Sequence, residues 1–237
     1  MVAVLEEIKL ITKQRVERIK NPFNELQDDY TMEKLFCFKR GMIYGIIGEQ
    51  GEGGELISSL LSGRIPIVNE EIYCDGKLAD NVVLKQLGWY VGKSEYCGRI
   101  VKKQISVEKA LLHAIKKYKR YQNLNEVVEE FHLSPDKLHN KITKYSGEKW
   151  RASLAIGYAS RKEIYCFSWM NTACFNSILL SSGVFRFFKK LKEEGAIILL
   201  PTSRRENVIG LADEAIEINN PQYKSIISEN EYFIKNF

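Results

Sequence analysis

The chain has 237 residues, 45% of them hydrophobic, and a formal net charge of +5, which fits one large α/β domain or two small ones. No run approaches the roughly 18 consecutive apolar residues of a membrane span, and the acidic start argues against a signal peptide. We therefore expect a soluble cytoplasmic protein. For the basic cluster at 116–120 a solvated helix face is the first interpretation, ahead of anionic lipid and then nucleic acid.

The cysteines and histidines do not have the spacing of a metal site. Buried free thiols in a reducing compartment are the expected state of the cysteines, and we predict neither a metal nor a histidine-based catalytic cluster. The residues concerned are Cys37, Cys74, Cys97, Cys166 and Cys174, with His113, His132 and His139.

The first part of the chain predicts two strands of an antiparallel outer sheet, at 4–14 and 35–38. A buried strand follows at 42–47, and after a glycine-rich turn a helix is predicted at 55–62. The next predicted elements are a hairpin at 72–77, a short core strand at 88–91, and a helical insert from 106 to about 138, where apolar residues recur at helical spacing.

The last part of the chain alternates between helices and short apolar strands. This alternation predicts a parallel sheet covered by helices. The predicted elements are a helix after Gly147 to about 160, a strand at 164–167, a long helix at 175–193 ending at Gly195, a strand at 197–200, a helix past Arg205 and a strand at 215–218.

The glycine-rich turn has the skeleton of a phosphate-binding loop without its charged residues. The pattern is G-x-x-x-x-G-K-[ST] between a buried strand and a helix. Gly48 and Gly53 hold its two glycine positions, but Gly54 and Glu55 stand where Lys and Ser/Thr are needed. Such a segment is also compatible with a simple turn. The vestigial loop consists of Gly48, Glu49, Gln50, Gly51, Glu52, Gly53, Gly54, Glu55 and Leu56.

The order and spacing of several segments resemble the ATP-binding subunit of ATP-binding cassette (ABC) transporters over nearly the whole chain. Besides the glycine loop they are 144–151, which resembles the Leu-Ser-Gly-Gly-Gln signature, 164–170 at the Walker B place, 201–204 at the switch and 211–215 after it. The resemblance implies a P-loop NTPase-like α/β fold with a parallel core sheet, an antiparallel β subdomain and an inserted helical subdomain. It implies a single domain over 1–237, with the core at 1–92 and 149–237 and the helical subdomain at about 93–148.

The same resemblance places unsuitable residues at every catalytic position. Ser168 stands at the magnesium-orienting Asp and Trp169 at the catalytic Glu, where an indole cannot accept a proton from water. Ser203 replaces the switch histidine and Phe175 the D-loop aspartate. In the Q-loop, the glutamine position is occupied by Gly92, followed by Lys93. Phe23 is a weak candidate for the adenine-stacking aromatic.

Tight binding of Mg-ATP is not expected. A lost charge-assisted hydrogen bond costs about 1.5–3 kcal/mol, and a carboxylate about 4 Å from a phosphate adds about 4 kcal/mol of repulsion at an effective dielectric near 20. Together these effects correspond to roughly four decades in affinity. We therefore expect no tightly bound cofactor, with ATP and magnesium only at a site shared with a competent partner.

The signature segment consists of Tyr145, Ser146, Gly147 and Glu148. Cassettes pair head to tail, so this segment would complete the nucleotide site of a partner through the N-terminus of the following helix. Tyr145 is large for the usual serine slot. A plain helix cap is the alternative interpretation of Ser146 and Gly147.

The resemblance implies a degenerate, catalytically inactive ATP-binding subunit of an asymmetric transporter, located at the inner face of the cell membrane. Its expected partners are a competent cassette, in a heterodimer, and a transmembrane permease; a homodimer is possible in isolation and nucleic acid is not expected. The docking region would be 93–121, with Tyr96, Ile100 and Val101 as apolar contacts that are equally compatible with core positions. A soluble regulatory pseudo-ATPase that binds other proteins, and an unconventional ATPase, are the alternatives.

Overall fold

The computed structural model describes residues 4–20, 26–93, 96–97, 103–145 and 147–219. Two larger sheets, one parallel and one antiparallel, form the framework of these residues. The strands are β1 Glu7–Thr12, β2 Arg15–Lys20, β3 Leu26–Thr31, β4 Lys34–Lys39, β5 Ile43–Ile47, β6 Glu71–Cys74, β7 Lys77–Leu78, β8 Gly88–Tyr90, β9 Tyr96–Cys97, β10 Lys103–Gln104, β11 Ile164–Cys166, β12 Ile197–Thr202 and β13 Glu214–Glu217.

The five-stranded sheet has the order β13-β5-β12-β11-β8 and all of its pairings are parallel. Every residue of β5, β11 and β12 is buried. This burial explains why these segments are continuous apolar runs, since helices cover both faces of a parallel sheet. The predicted parallel α/β core is confirmed.

The four-stranded sheet has the order β4-β1-β6-β7 and is antiparallel. It includes the predicted outer strands and the predicted hairpin, whose turn residues Asp75 and Gly76 both have a positive φ, of 49° and 76°. One face of this sheet packs Ile8, Leu10 and Phe38 into the core that it shares with the parallel sheet.

A second hairpin, formed by β2 and β3, lies in the chain between β1 and β4 of the antiparallel sheet and was not predicted. Its cross-strand pairs are mostly charged or polar, such as Arg18 opposite Asp28, so the sequence lacks the apolar alternation of a half-buried strand. The hairpin nevertheless packs on the helix after the glycine loop, through Ile19 against Leu56 and Leu60. It therefore covers the loop.

The helices occupy both faces of the parallel sheet and the insert. The predicted helix at 175–193 is wrong as a single element, because Gly183 has a φ of 74° and separates a π-helical turn from the next helix. The predicted helix past Arg205 is only one 3-10 turn. The α-helices are α1 Gly54–Leu61, α2 Asn81–Leu87, α3 Val107–Tyr118, α4 Leu124–Glu130, α5 Lys149–Ala159, α6 Thr172–Phe175 and α7 Phe188–Glu193; the other helical turns are Pro135–Lys137, Ile142–Lys144, Asn176–Ser181, Val184–Phe187 and Arg205–Val208.

The predicted helical insert is represented by α3 and α4, and it packs against the core. Ser106 caps α3 by accepting a hydrogen bond from the backbone N–H of Lys109. The side chain of Arg120 lies 3.6 Å from the ring centroid of Tyr158 and pairs with Glu194, so charged and aromatic contacts join the insert to α5 and α7. Within the described residues, none of the helices has the length and apolar character needed to cross a bilayer.

Candidate functional site

The glycine loop connects β5 to α1 at the carboxyl edge of the parallel sheet. Gly51 and Gly53 have φ values of 93° and 105°, a conformation that favours glycine. Glu49 and Gln50 are exposed, whereas every residue from 51 to 62 is buried. The loop thus has the strand–turn–helix setting that the sequence predicted, but most of it is covered by protein.

The loop amides donate to a side chain of the β2–β3 hairpin. The backbone N–H of Gly53 lies 2.8 Å from Oδ1 of Asp29, and the N–H of Leu56 lies 2.6 Å from Oδ2. Asp29 is 1% exposed. These amides at the start of a helix are the groups that bind phosphate in a phosphate-binding loop, so a carboxylate of the same chain holds that position.

Gly54, at the position of the loop lysine, packs against two residues from neighbouring strand ends. A Cβ atom at Gly54 would lie 3.0 Å from Cβ of Pro201 and 3.4 Å from Cδ1 of Trp169. A lysine there requires these neighbours to shift. The indole of Trp169 is held in place because its Nε1 donates to the carbonyl oxygen of Gly48 at 2.9 Å.

Glu55 points into the protein and is fully buried. Its Oε2 accepts a hydrogen bond of 2.8 Å from the backbone N–H of Trp169, and its Oε1 accepts one from the hydroxyl of Tyr90. Nη1 of Arg64 lies 3.3 Å from the same Oε1, and its guanidinium stacks 4.4 Å from the centroid of the Tyr90 ring. The carboxylate is therefore part of an internal network.

Burial dominates the electrostatics of both acids. It raises the pKa of Glu55 to about 7, against the lowering effects of the Tyr90 hydroxyl, the Trp169 amide and Arg64. Burial also raises the pKa of Asp29 to about 6, although the amides of Gly53 and Leu56 favour its ionised form. Two buried carboxyl groups thus flank the first turn of α1 and disfavour a third negative group.

The structure brings the predicted Walker B positions beside the glycine loop. Ser168 and Trp169 follow β11, and Ser168 is 2% exposed, with its Oγ donating to the carbonyl oxygen of Trp169 at 3.4 Å. Together with Glu55 these side chains form one cluster. The sequence predicted three of its members, and it missed Tyr90, Arg64 and the nearby Asp29.

The predicted switch and Q-loop positions lie at the ends of the neighbouring strands. Ser203 directly follows β12, and its backbone N–H donates to the carbonyl oxygen of Met170 at 3.2 Å. Gly92 follows β8 with a φ of 89°, and a Cβ atom there would lie 2.2 Å from the ring of Trp150. The tryptophan therefore fills the space that a glutamine side chain needs. Lys93 lies over the ring of Trp89, 5.1 Å from its centroid.

The predicted signature segment lies before α5, and Glu148 within it contacts residues of the preceding helical turns. The Tyr145 side chain is buried in the hydrophobic core, and its hydroxyl is also buried. Glu148 accepts hydrogen bonds from Ser134 and Lys137, contacts that lower its pKa against the effect of burial. Gly147 is exposed. The tyrosine hydroxyl is consequently not presented to a partner.

Several predicted residues lie outside the described part of the chain: Phe23, Ile100, Val101 and Ser146, and the side chain of Tyr96. Phe175 is 2% exposed and belongs to the core. The described residues contain no group of three or more His, Cys, Asp or Glu side chains placed to hold a metal ion. The hairpin residue Asp29 gave no motif signal, since its role depends on a contact 24 positions away.

The residues around the loop do not fit Mg-ATP. The amides of Gly53 and Leu56 are engaged by Asp29, and the side of Gly54 is filled by a tryptophan and a proline. A cavity of about 220 Å³ lies beside the loop. Its charged lining side chains are three carboxylates and one ammonium, a balance that disfavours a polyphosphate; these are Glu33, Glu52, Glu217 and Lys34.

No protein-family model matches the sequence, and no curated protein matches it. Solved structures do match. A dimeric ATP-binding cassette, MJ0796, bound to ADP and Pi has a TM-score of 0.62 and 16% identity, over 90% of this chain and 94% of that one. The ATP-binding subunit of an ABC transporter has a TM-score of 0.59 and 17% identity, over 88% of this chain and 86% of that one. A putative ABC transporter ATP-binding protein from Pyrococcus furiosus has a TM-score of 0.57 and 16% identity, over 90% of this chain and 97% of that one. This chain has the fold of an ATP-binding cassette.

Proposed function

We propose that this chain is a non-hydrolysing ATP-binding-cassette subunit of an asymmetric transporter, which pairs with a competent cassette and docks a transmembrane subunit. The solved structures it resembles support the general part of this proposal, since they include a transporter subunit and a dimeric cassette. The geometry of the site supports the specific part, which is that this chain does not hydrolyse ATP and acts through its contacts with other subunits.

One observation carries the proposal: residues at the predicted loop and Walker B positions are engaged in hydrogen bonds within the protein. Glu55 accepts from the backbone of Trp169 and from Tyr90, and the Trp169 indole donates to Gly48. An indole offers no basic atom to activate water, and Ser168 offers no negative charge to orient magnesium. The cluster has become part of the packed interior.

The signature segment supports a role in subunit contact. Its Glu148 is anchored by Ser134 and Lys137, so the exposed Gly147 is held at the start of α5. A fixed, exposed backbone at a helix N-terminus suits contact with a second cassette. Arg120 and Glu194 in turn tie the insert to the core. In this proposal, the pairing of this chain with a second cassette uses this surface and needs no nucleotide bound to the glycine loop of this chain.

In this proposal the chain is divided into a core at 1–92 and 149–237 and a helical subdomain at about 93–148. A transmembrane subunit docks near 93–121, which would place the chain at the inner face of the membrane. ATP and magnesium belong, in this proposal, to the partner cassette and to a site shared with it.

The test is purification of the tagged full-length chain from detergent-solubilised membranes of its own cells. The expected result is a complex with one membrane protein and a second cassette that has an intact loop lysine and Walker B acids. A stable homodimer or a complex with soluble proteins alone, with no membrane protein, would instead favour the regulatory pseudo-ATPase.

Hydrolysis is tested separately on the purified chain. Phosphate release from Mg-ATP should equal that of a buffer blank, because Ser168 and Trp169 cannot replace the acids. Release above the blank that disappears after removal of the chain would support the unconventional ATPase and contradict the proposal.

A further inference from the structure

We propose that Asp29 is a built-in occupant of the glycine loop: the β2–β3 hairpin supplies a carboxylate that takes the place of a phosphate, so that the loop is folded without nucleotide. The inference deepens the proposed function and rests on it for the role of the loop. Its test concerns the loop alone, so the two can fail separately.

The contact between Asp29 and the loop has the geometry of an anion bound by backbone amides. The two oxygens of Asp29 accept from different amides, Gly53 at 2.8 Å and Leu56 at 2.6 Å. Both amides lie at the N-terminal end of α1, where the helix dipole favours negative charge. With Asp29 1% exposed, a dissolved phosphate has no access to these donors while the carboxylate is present.

The backbone of the hairpin is also joined to the loop. The N–H of Tyr30 donates to the carbonyl oxygen of Gly51 at 2.9 Å. A Cβ atom at Gly53 would lie 2.9 Å from the carbonyl oxygen of Tyr30. The close approach of the hairpin therefore requires glycine at position 53, and a bound ligand is not needed to explain it.

Three further contacts fasten the hairpin to the rest of the fold. Ile19 packs on Leu56 and Leu60 of α1. The guanidinium of Arg64 donates to the carbonyl oxygen of Lys20 while it pairs with Glu55. At the other end, Arg15 pairs at 3.1 Å with Glu70, whose side chain is fully buried. Lifting the hairpin breaks all of these contacts, so it is a fixed cover.

Charge adds to this steric argument. A phosphate that entered beside α1 would meet two buried carboxyl groups, Asp29 and Glu55. The cation that pairs with Glu55, Arg64, is also engaged by the hairpin backbone. A carboxylate in the same chain also competes at a high effective concentration, because it has no translational freedom to lose.

The test compares Asp29→Ala with the wild-type chain, using inorganic pyrophosphate as the probe. The matched control is Asp28→Ala, since Asp28 is the preceding residue but is exposed and pairs with Arg18 at the surface. The readout is the backbone amide resonance of Gly53 and of Leu56 during titration, with sodium chloride at equal ionic strength as the reference.

In the wild-type chain and the control, both resonances should move no more with pyrophosphate than with sodium chloride. In Asp29→Ala they should shift saturably, and the melting temperature, lower than that of the control, should rise with pyrophosphate. A saturable shift in the wild-type chain would overturn the proposal, and so would an Asp29→Ala variant whose amides ignore pyrophosphate.

Asp29→Asn is the second variant if Asp29→Ala does not fold. It keeps the size of the side chain but places an N–H donor against one of the two amide donors. The same shift of Gly53 and Leu56 is then expected. If neither variant folds while Asp28→Ala does, an unresponsive wild-type titration supports the proposal and a saturable one contradicts it.

Discussion

The burial of Glu55 predicts an unusual dependence of stability on pH. A carboxyl group whose pKa is raised in the folded state stabilises the fold when protonated, and this contribution is lost as the pH rises through the folded pKa. Burial raises the pKa of Glu55 from 4.5 to about 7 and that of Asp29 from 3.8 to about 6. The free energy of unfolding should therefore fall between pH 5 and pH 8.

The size of the effect follows from the two pKa values of each group. Every tenfold difference between the folded and unfolded acid constants corresponds to about 1.4 kcal/mol. Glu55 and Asp29 each then destabilise the fold by about 3 kcal/mol at pH 8 relative to the protonated state. Carboxyl groups with a lowered pKa, such as Glu70 and Asp213, have the opposite effect, but it is exerted below about pH 4.5.

The variant that isolates Glu55 is Glu55→Gln, which is neutral at every pH and retains an acceptor for Trp169 or Tyr90. Its stability should fall about 2.5 kcal/mol less than that of the wild-type chain between pH 5 and pH 8, because part of the effect is already present at pH 5. Urea unfolding followed by tryptophan fluorescence measures this. With a slope of about 3 kcal/mol per molar urea, the midpoint difference between the two chains should change by about 1 M.

Glu49→Gln is the control, because Glu49 lies in the same loop but is exposed. Its urea midpoints should follow those of the wild-type chain at both pH values. A wild-type stability that rises from pH 5 to pH 8, or an equal fall in Glu55→Gln and wild type, would refute the reasoning about the buried carboxyl.

Three further predictions concern neighbouring contacts. Arg64→Ala leaves Glu55 without its cation, so it should cost about 3 kcal/mol of stability at pH 8 and less at pH 5 in urea unfolding; equal losses would contradict the pairing. Gly92→Ala places a Cβ atom 2.2 Å from a tryptophan ring and should lower the free energy of unfolding by at least about 2 kcal/mol. Its control is Gly147→Ala, which should change the urea midpoint little because no described atom lies within 4 Å of its Cβ. The double variant Gly54→Lys, Glu55→Ser should release no more phosphate from ATP than the wild-type chain, because the general base is still missing; appreciable turnover would mean that the base was misplaced.

The core was predictable because its signals are local. The buried run of β5, the glycine turn and the alternation of strands with helices each follow from short-range patterns. The strand at 164–167 also follows from such a pattern, whereas the positions of Ser168 and Trp169 in the site were predicted from the resemblance to ATP-binding cassettes. The predicted helix at 175–193 failed at Gly183, where a left-handed residue interrupts an apolar pattern that is otherwise helical.

The hairpin and its contact with the loop were not predictable from the sequence. Both strands carry charged residues, and only tertiary contacts distinguish the buried Asp29 from the exposed Asp28. Likewise, the sequence predicted a carboxylate at the position of the loop hydroxyl, but not that Glu55 points into the protein, bonds to Tyr90 and pairs with Arg64. Tyr90 lies 35 positions and Arg64 nine positions after Glu55, and no motif marks either of them as a partner of this carboxylate.

The most direct test of the central claim is isothermal titration of Mg-ATP into the purified full-length chain. Because the amides of Gly53 and Leu56 are engaged by Asp29 and Glu55 is locked into the interior, the account predicts no binding tighter than about 1 mM. A dissociation constant in the micromolar range would contradict it.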